Sequence, residues 1–226
     1  MRETARAARL KPVAHVDLYW LPLGAGGHFV RLNGRVYERI KAKREGRTPQ
    51  GLYHAALEVQ LIGRSHVIEM TPVPRGDPAQ RGVVATGPVG SRVLGCVRVF
   101  RYEVRRWCDG VIPDVDEAVD SPRRLTTDPR VARRLLESVP SVPIHTWGRD
   151  ELDVDDMWNS NSLVAWLLAC SGVDAVGIEP PRHGRAPGWL AGLAAAGQSS
   201  TRAPAPSSAA SASRTGMKRP TEIASR

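Results

Sequence analysis

Residues 155–173 read Asp155-Asp-Met-Trp-Asn-Ser-Asn-Ser-Leu-Val-Ala-Trp-Leu-Leu-Ala-Cys-Ser-Gly-Val173, a polar cluster that passes directly into an apolar run. The apolar side chains recur at i, i+3, i+4 and i+7, the period of one helix face, and are Leu163, Trp166, Leu167 and Cys170. Gly172 stands where a left-handed residue commonly ends a helix. The stretch therefore predicts a helix that begins in the polar cluster and turns this stripe, including Cys170, toward the core.

The Asn-Ser-Asn-Ser cluster at residues 159–162, here named the cap cluster, is larger than a helix start requires. One Asn or Ser side chain is enough to accept hydrogen bonds from the free N–H groups of a first turn. Either one member caps the helix and the others form a solvated turn, or the surplus serves a functional site. Both interpretations stay open at this point.

Length and composition predict one domain between two tails. The chain has 226 residues, of which 42% are hydrophobic, enough for a substantial core. Residues 195–226 are rich in Ala, Ser and Pro and predict a disordered basic tail, and residues 1–13 predict a disordered basic arm. Residues 14–194 are left as a single α+β domain.

The net charge of +9 is concentrated in those tails. The arm carries +3 and the tail +4, so the domain keeps only +2. A nucleic-acid groove needs cations clustered on a folded surface with aromatic side chains between them. The nearest candidates, Arg98, Arg101, Arg105 and Arg106, predict a solvated strand face, and nucleic-acid association through the tails remains a weaker alternative.

The sequence predicts neither a metal site nor a cofactor. Its three cysteines, Cys96, Cys108 and Cys170, have no histidine at ligand spacing and are expected to be reduced thiols. The glycines at residues 24–27 lack the Gly-Lys-Ser/Thr ending of a phosphate loop. The absence of a long apolar run and of a signal-like N-terminus predicts no membrane span and a cytoplasmic location.

Hydrophobic periodicity predicts an antiparallel sheet with helices, and thus an α+β fold. The predicted strands are residues 14–23, 53–61, 66–71, 82–86 and 93–104. The predicted helices are residues 29–45 and a short one from Pro129 to the residue before Pro140. Residues 107–127, 140–156 and 180–189 are predicted as loops, the last with Trp189 as an aromatic anchor.

The order of these parts resembles a known family. A helix is followed by a strand with His54, a second strand with Glu69, more sheet, and a helix that opens Asn159-Ser160-x-x-Leu163-Val164. This is similar to the papain-like NlpC-type amidases, in particular the circularly permuted branch that includes lecithin retinol acyltransferase-like proteins. The resemblance covers roughly residues 14–190 and implies a permuted papain-like arrangement, in which the cysteine of the family is replaced by serine.

The resemblance implies a hydrolase or acyltransferase acting on an amide or ester. A serine hydroxyl needs a general base and a group that orients this base. Ser160 would be the nucleophile, His54 the base and Glu69 the orienting group, with N–H groups of the first helical turn holding an oxyanion. The expected substrate is a small-molecule, peptide or lipid-like acyl compound; the alternative is an inactive binding domain that keeps the cleft.

The register of the predicted hairpin decides whether Glu69 can reach His54. If the chain turns at Leu61-Ile62, Glu69 lies opposite His54 and the triad is feasible. If Gly63-Arg64 form the turn, Glu69 lies opposite Glu58, roughly 13 Å along the strand from His54. The sequence favours neither register.

Overall fold

A computed structural model describes residues 14–24, 38–73 and 82–197. The described part contains a helical segment α1, residues 38–44, and three further helices: α2 (Pro129–Ser138), α3 (Ser160–Ser171) and α4 (Trp189–Ala195). Its strands are β1 (Ala14–Pro22), β2 (Gly51–Leu61), β3 (Arg64–Pro72), β4 (Val83–Pro88), β5 (Arg101–Cys108), β6 (Val119–Thr126) and the short β7 (Gly184–Arg185). The fold is therefore α+β, as predicted.

The strands form a sheet of order β4-β5-β3-β2-β1-β6 in which all neighbours are antiparallel. β7 pairs with the start of β2 in parallel. The predicted strands at residues 14–23, 53–61, 66–71 and 82–86 all correspond to observed strands. β1 is buried along almost its whole length because both of its faces are covered, whereas the other three strands combine buried and less buried positions.

Helices cover one face of the sheet, here named the helix face. Leu18, Leu57 and Ile68 of the central strands pack there with Leu135 of α2 and Leu167 of α3 in one buried cluster. On the second face, a smaller cluster gathers Tyr19, Leu21, Ala56 and Val67 under Ile112. The loop predicted over residues 107–127 is partly correct, because residues 109–118 form no strand and cross this second face.

Two sequence predictions of secondary structure are wrong. Residues 119–126 form β6 on the edge of the sheet beside β1, although their Asp, Ser, Pro and Arg content predicted a loop. Residues 93–100 form two short 3₁₀ turns, and the strand predicted over residues 93–104 begins only at Arg101. The Val, Leu and Phe residues of this stretch favour a strand, but they follow the turn at Gly90 and pair with no strand of the described sheet.

Helix α3 has the predicted bounds but not the predicted stripe. Gly172 ends it with φ 88°, a left-handed conformation that glycine adopts without steric cost. Every residue from 160 to 169 is buried, because α3 lies between the sheet and the other helices. Cys170 is exposed, so its predicted packing role is wrong. Helix α2 begins as predicted, with the Asp128 side chain accepting from the Arg130 N–H.

Other predictions fall partly outside the described residues. Arm residues 1–13, most of the tail and the first part of the helix predicted over residues 29–45 are among them. Helix α4 and a turn extend the described fold to residue 197, three residues into the predicted tail. No helix within the described ranges is long and apolar enough to cross a membrane.

Candidate active site

The cap cluster fastens the start of α3 to the segment before α4. The Asn159 Oδ1 atom accepts from the Asn161 N–H at 2.9 Å, and the Asn159 N–H donates to Ser162 Oγ at 3.0 Å, a capping box. Ser162 Oγ donates in turn to the carbonyl of Gly188 at 2.7 Å. Asn159 Nδ2 reaches the carbonyl of Pro187 at 2.9 Å. Asn159 and Ser162 therefore have structural roles beyond a solvated turn.

Asn161 joins α3 to strand β2. Its Oδ1 accepts from the Ala55 N–H at 2.7 Å, and its Nδ2 donates to the carbonyls of Tyr53 at 3.0 Å and Pro187 at 2.7 Å. These two β2 groups flank His54. They are available because the β2–β3 ladder ends at the pair Leu57↔Ile68, so the sheet opens between the strands at this level. The side chain of Asn161 thus takes the place of a neighbouring strand.

Asp156 ties the same loop from the other side. Its Oδ1 accepts from the Gly188 N–H at 2.7 Å, and its Oδ2 from the Leu190 N–H at 3.1 Å. Burial raises the pKa of this carboxyl, and the backbone N–H donors oppose the rise. The entry to α4 is therefore held by hydrogen bonds both from Asp156, before α3, and from the cap cluster.

Ser160 differs from its neighbours in the cap cluster. Ser160 is the first residue of α3 and is only 5% exposed. Its hydroxyl makes no hydrogen bond to any residue in the ranges 14–24, 38–73 and 82–197, whereas the side chains of Asn159, Asn161 and Ser162 all do. The Ser160 Oγ atom keeps some exposure to solvent, unlike fully buried unpaired atoms such as Trp158 Nε1, and no hydrogen bond gives it a structural task.

His54 lies on β2 at the level of the start of α3, because Asn161 binds the backbone groups of the residues immediately before and after it. Strand alternation places its ring on the second face with Ala56, since Ala55 packs on the helix face. Burial lowers the pKa of His54 to about 4, and the negative charge of Asp114 opposes the shift. The imidazole is therefore neutral at pH 7, the form that accepts a proton.

The structure places Glu69 with Arg105. The Glu69 carboxylate accepts from Arg105 Nη1 at 2.8 Å, and Arg105 Nε donates to Glu103 at 2.6 Å. All three side chains are buried on the second face, and burial raises the pKa of Glu69 although Arg105 opposes this. Arg105 was predicted to lie on a solvated face, which is wrong.

Neither predicted hairpin register is correct. Ile62 and Gly63 form the turn, with φ of 50° and 75°, and Leu61 pairs with Arg64. Positive φ at both central residues is what a two-residue type I′ hairpin requires. Continued by one position beyond the ladder, this register puts Ala56 opposite Glu69. Among the described residues, no hydrogen bond joins His54 to Glu69 or to Ser160, and the acid whose charge acts on His54 is Asp114.

Sequence reasoning missed the roles of Asn161 and Asp156. The signal was present in the surplus of the cap cluster, but which backbone groups it would bind depends on the loop that leads to α4. No group of three or more potential metal ligands lies within the described part of the chain. Cys96, Cys108 and Cys170 are all free.

No family model matches the chain, and neither a curated protein nor a solved structure matches it.

Proposed function

We propose that the protein is a hydrolase or acyltransferase that acts on an amide or ester through Ser160. The observation that carries the proposal is the contrast within the cap cluster. Three of its side chains fasten α3 to β2 and to the α4 entry, while the hydroxyl of Ser160, a residue only 5% exposed, is left without a partner among the residues described. A hydroxyl held at a helix start, with its neighbours fixed around it, is preorganised for reaction.

His54 is the proposed general base. The support for this role is that Asn161 of α3 binds the backbone groups on both sides of His54, and the role requires the imidazole to turn from the second face toward α3. The proton of the Ser160 hydroxyl would pass to the neutral ring as the oxygen attacks the acyl carbon. A base whose pKa is about 4 is weak at neutral pH, so the proposed reaction is slow.

The remaining roles follow from the same contacts. The Asn161 N–H is occupied by Asn159, whereas the N–H of Ser160 binds no acceptor among the described residues, so it is the proposed oxyanion donor. Asp114 replaces Glu69 as the proposed group that favours the imidazolium, since its charge acts on His54 while Glu69 is bound to Arg105. The proposed arrangement is the permuted papain-like one that the resemblance implies. The cytoplasm remains the proposed compartment, in keeping with three free thiols.

A serine-directed fluorophosphonate probe tests the proposal. Wild-type protein should be labelled, and Ser160→Ala should not be, while Ser91→Ala, which changes a serine in a loop outside the site, should be labelled like the wild type. Because only the neutral imidazole accepts a proton, the labelling rate should stay level from pH 8 to about pH 5 and fall only near pH 4. His54→Gln should lower the rate at every pH.

Two results would overturn the proposal. Labelling that survives in Ser160→Ala would assign the reactivity to another residue. A wild-type protein that folds and is not labelled would favour the inactive binding domain, in which the cleft at the start of α3 is kept without chemistry. The nucleic-acid alternative depends on the arm and the tail, which lie outside the described residues except for residues 195–197. It is tested separately by retention of the full chain on DNA with and without residues 198–226.

A further inference from the structure

Residues 93–100, which connect β4 to β5, form an apolar projection; they are named here the apolar turn. Its side chains are exposed to an unusual degree, Val93 to 82% and Val99 to 73%. Leu94, Val97 and Phe100 are each at least 40% exposed. Single exposed apolar residues are common on protein surfaces, but five within eight consecutive residues form a contiguous patch that indicates a binding surface.

The surroundings of the apolar turn are cationic. Residues 89–102 contain Arg92, Arg98 and Arg101 and no acidic residue. Glu151 neutralises Arg92 through a two-point contact at 3.0 and 3.1 Å. Arg101 donates to the hydroxyl of Thr86, and the nearby Arg149 to the carbonyl of Gly90, so these contacts leave both positive charges in place. The patch thus combines apolar side chains with the positive charges of Arg101 and Arg149.

We propose that the apolar turn docks on the surface of an anionic lipid bilayer. Apolar side chains that protrude from a turn can enter the boundary between headgroups and acyl chains, while arginines beside them contact anionic headgroups. Charge complementarity favours this occupant, since Arg101 and Arg149 keep their positive charges beside the apolar turn, and the chain carries +9, of which +7 lies in residues 1–13 and 195–226. A second copy of the chain fits less well, because a stable interface takes roughly 20–30 residues on each side and the patch has eight.

This inference goes beyond the proposed reaction and does not depend on it. The apolar turn enters β5 at Arg101, which lies beside the end of β3, where the N–H of Val73 donates to the Arg101 carbonyl at 3.0 Å. That is the end of the sheet at which β2 begins. A bilayer bound there would approach the side of the protein that contains the start of α3.

Sedimentation of the full chain with vesicles tests the proposal. Wild-type protein should bind vesicles of phosphatidylcholine and phosphatidylserine in equal parts, and bind phosphatidylcholine alone at least about tenfold more weakly. The double variant Val93→Asp with Val99→Asp should lose about tenfold or more in binding to the anionic vesicles, because carboxylates replace the penetrating side chains. The matched control is Ile62→Asp, which removes an equally exposed apolar side chain, 69% exposed, at the opposite end of the β2–β3 hairpin.

A second measurement uses the cysteine within the apolar turn. Cys96 is exposed, as is Cys170 at the far end of α3. An environment-sensitive fluorophore on Cys96, with the other two cysteines changed to serine, should shift to shorter wavelength when anionic vesicles are added. The same fluorophore on Cys170 should not shift.

The outcomes separate cleanly. Equal sedimentation of the wild type and the double aspartate variant would overturn the proposal and assign any binding to electrostatic attraction by the tails. A wild-type dimer in light scattering that the double variant abolishes would overturn it in favour of a second copy. Ser160→Ala should bind vesicles like the wild type, so a failure of the catalytic proposal would leave this one standing.

Discussion

Replacing Asn161 by alanine tests the joint between α3 and β2 on which the candidate site depends. The side chain makes three hydrogen bonds, to the Ala55 N–H, the Tyr53 carbonyl and the Pro187 carbonyl, at 2.7, 3.0 and 2.7 Å. Truncation leaves the Ala55 N–H and the Tyr53 carbonyl without a partner, whereas the Pro187 carbonyl keeps its hydrogen bond from Asn159 Nδ2, and each buried unsatisfied group costs about 1–3 kcal/mol. Because water can reach part of the gap, we expect Asn161→Ala to lower the free energy of unfolding by about 2–4 kcal/mol.

Urea denaturation followed by tryptophan fluorescence measures this loss, since Trp158 is buried just before the site. The matched control is Ser160→Ala, the neighbouring position in the same helical turn. Its hydroxyl makes no hydrogen bond within the described ranges, so the expected change is below about 1 kcal/mol. Equal stability of the two variants, with Asn161→Ala within 1 kcal/mol of the wild type, would refute the account of the joint.

Three further predictions concern buried charge and backbone conformation. His54 has a folded-state pKa of about 4 against 6.5 for the free side chain, so the unfolded chain binds a proton that the folded chain does not, and stability is lost as pH falls from about 6.5 to 4. Denaturation at each pH should show that this loss is roughly 3 kcal/mol larger in the wild type than in His54→Gln. The exposed His183→Asn should follow the wild type. Arg105→Met leaves the buried Glu69 and Glu103 without their shared cation and should lower the free energy of unfolding by about 3–5 kcal/mol at pH 7. This loss should shrink at pH 4, because the carboxyl groups become protonated. A loss that does not change with pH would count against an ionic cause. Gly188→Ala places a methyl group against the Asn159 side chain at a residue with φ of 94°, so it should lower the free energy of unfolding by more than Gly46→Ala does. At Gly46, φ is 64° and nothing lies near the new methyl group, so a loss of about 1 kcal/mol is expected there. Comparable denaturation midpoints for the two variants would contradict this.

The features predicted correctly from sequence depend on local patterns. The alternation of Ala55, Leu57 and Val59 with more polar neighbours identified β2 and its buried face. The glycine at 172 located the end of α3, because the left-handed conformation needed there is a property of a single residue. Asp128 followed by Pro129 gave the start of α2 in the same way.

The features that were wrong depend on contacts between distant parts of the chain. β6 has little apolar content because it is an edge strand, and its place in the sheet follows from pairing with β1 and from a two-point contact of Arg124 with the buried Asp17. The hairpin register differed from both alternatives by one residue on each strand, since Ile62, a β-branched residue, takes a positive φ that local preference disfavours.

The candidate site shows the same division. The sequence identified the cap cluster and the strand with His54, but the partner of Glu69 came from β5, 36 residues away. No local pattern predicts such a pair, because an arginine on a strand is equally suited to solvent. Which polar side chain of the cap cluster lacked a structural partner likewise depended on residues 187–188.

The joint at Asn161 also has a consequence for the order in which the chain folds. One edge of β2 at Tyr53 and Ala55 is completed by a side chain that lies 106 residues further along the sequence. Closing so long a loop is entropically costly, so this contact should form after the local hairpin of β2 and β3. The Ala55 amide is then expected to exchange its hydrogen faster than that of Val59, and its exchange rate reports how often α3 leaves the sheet.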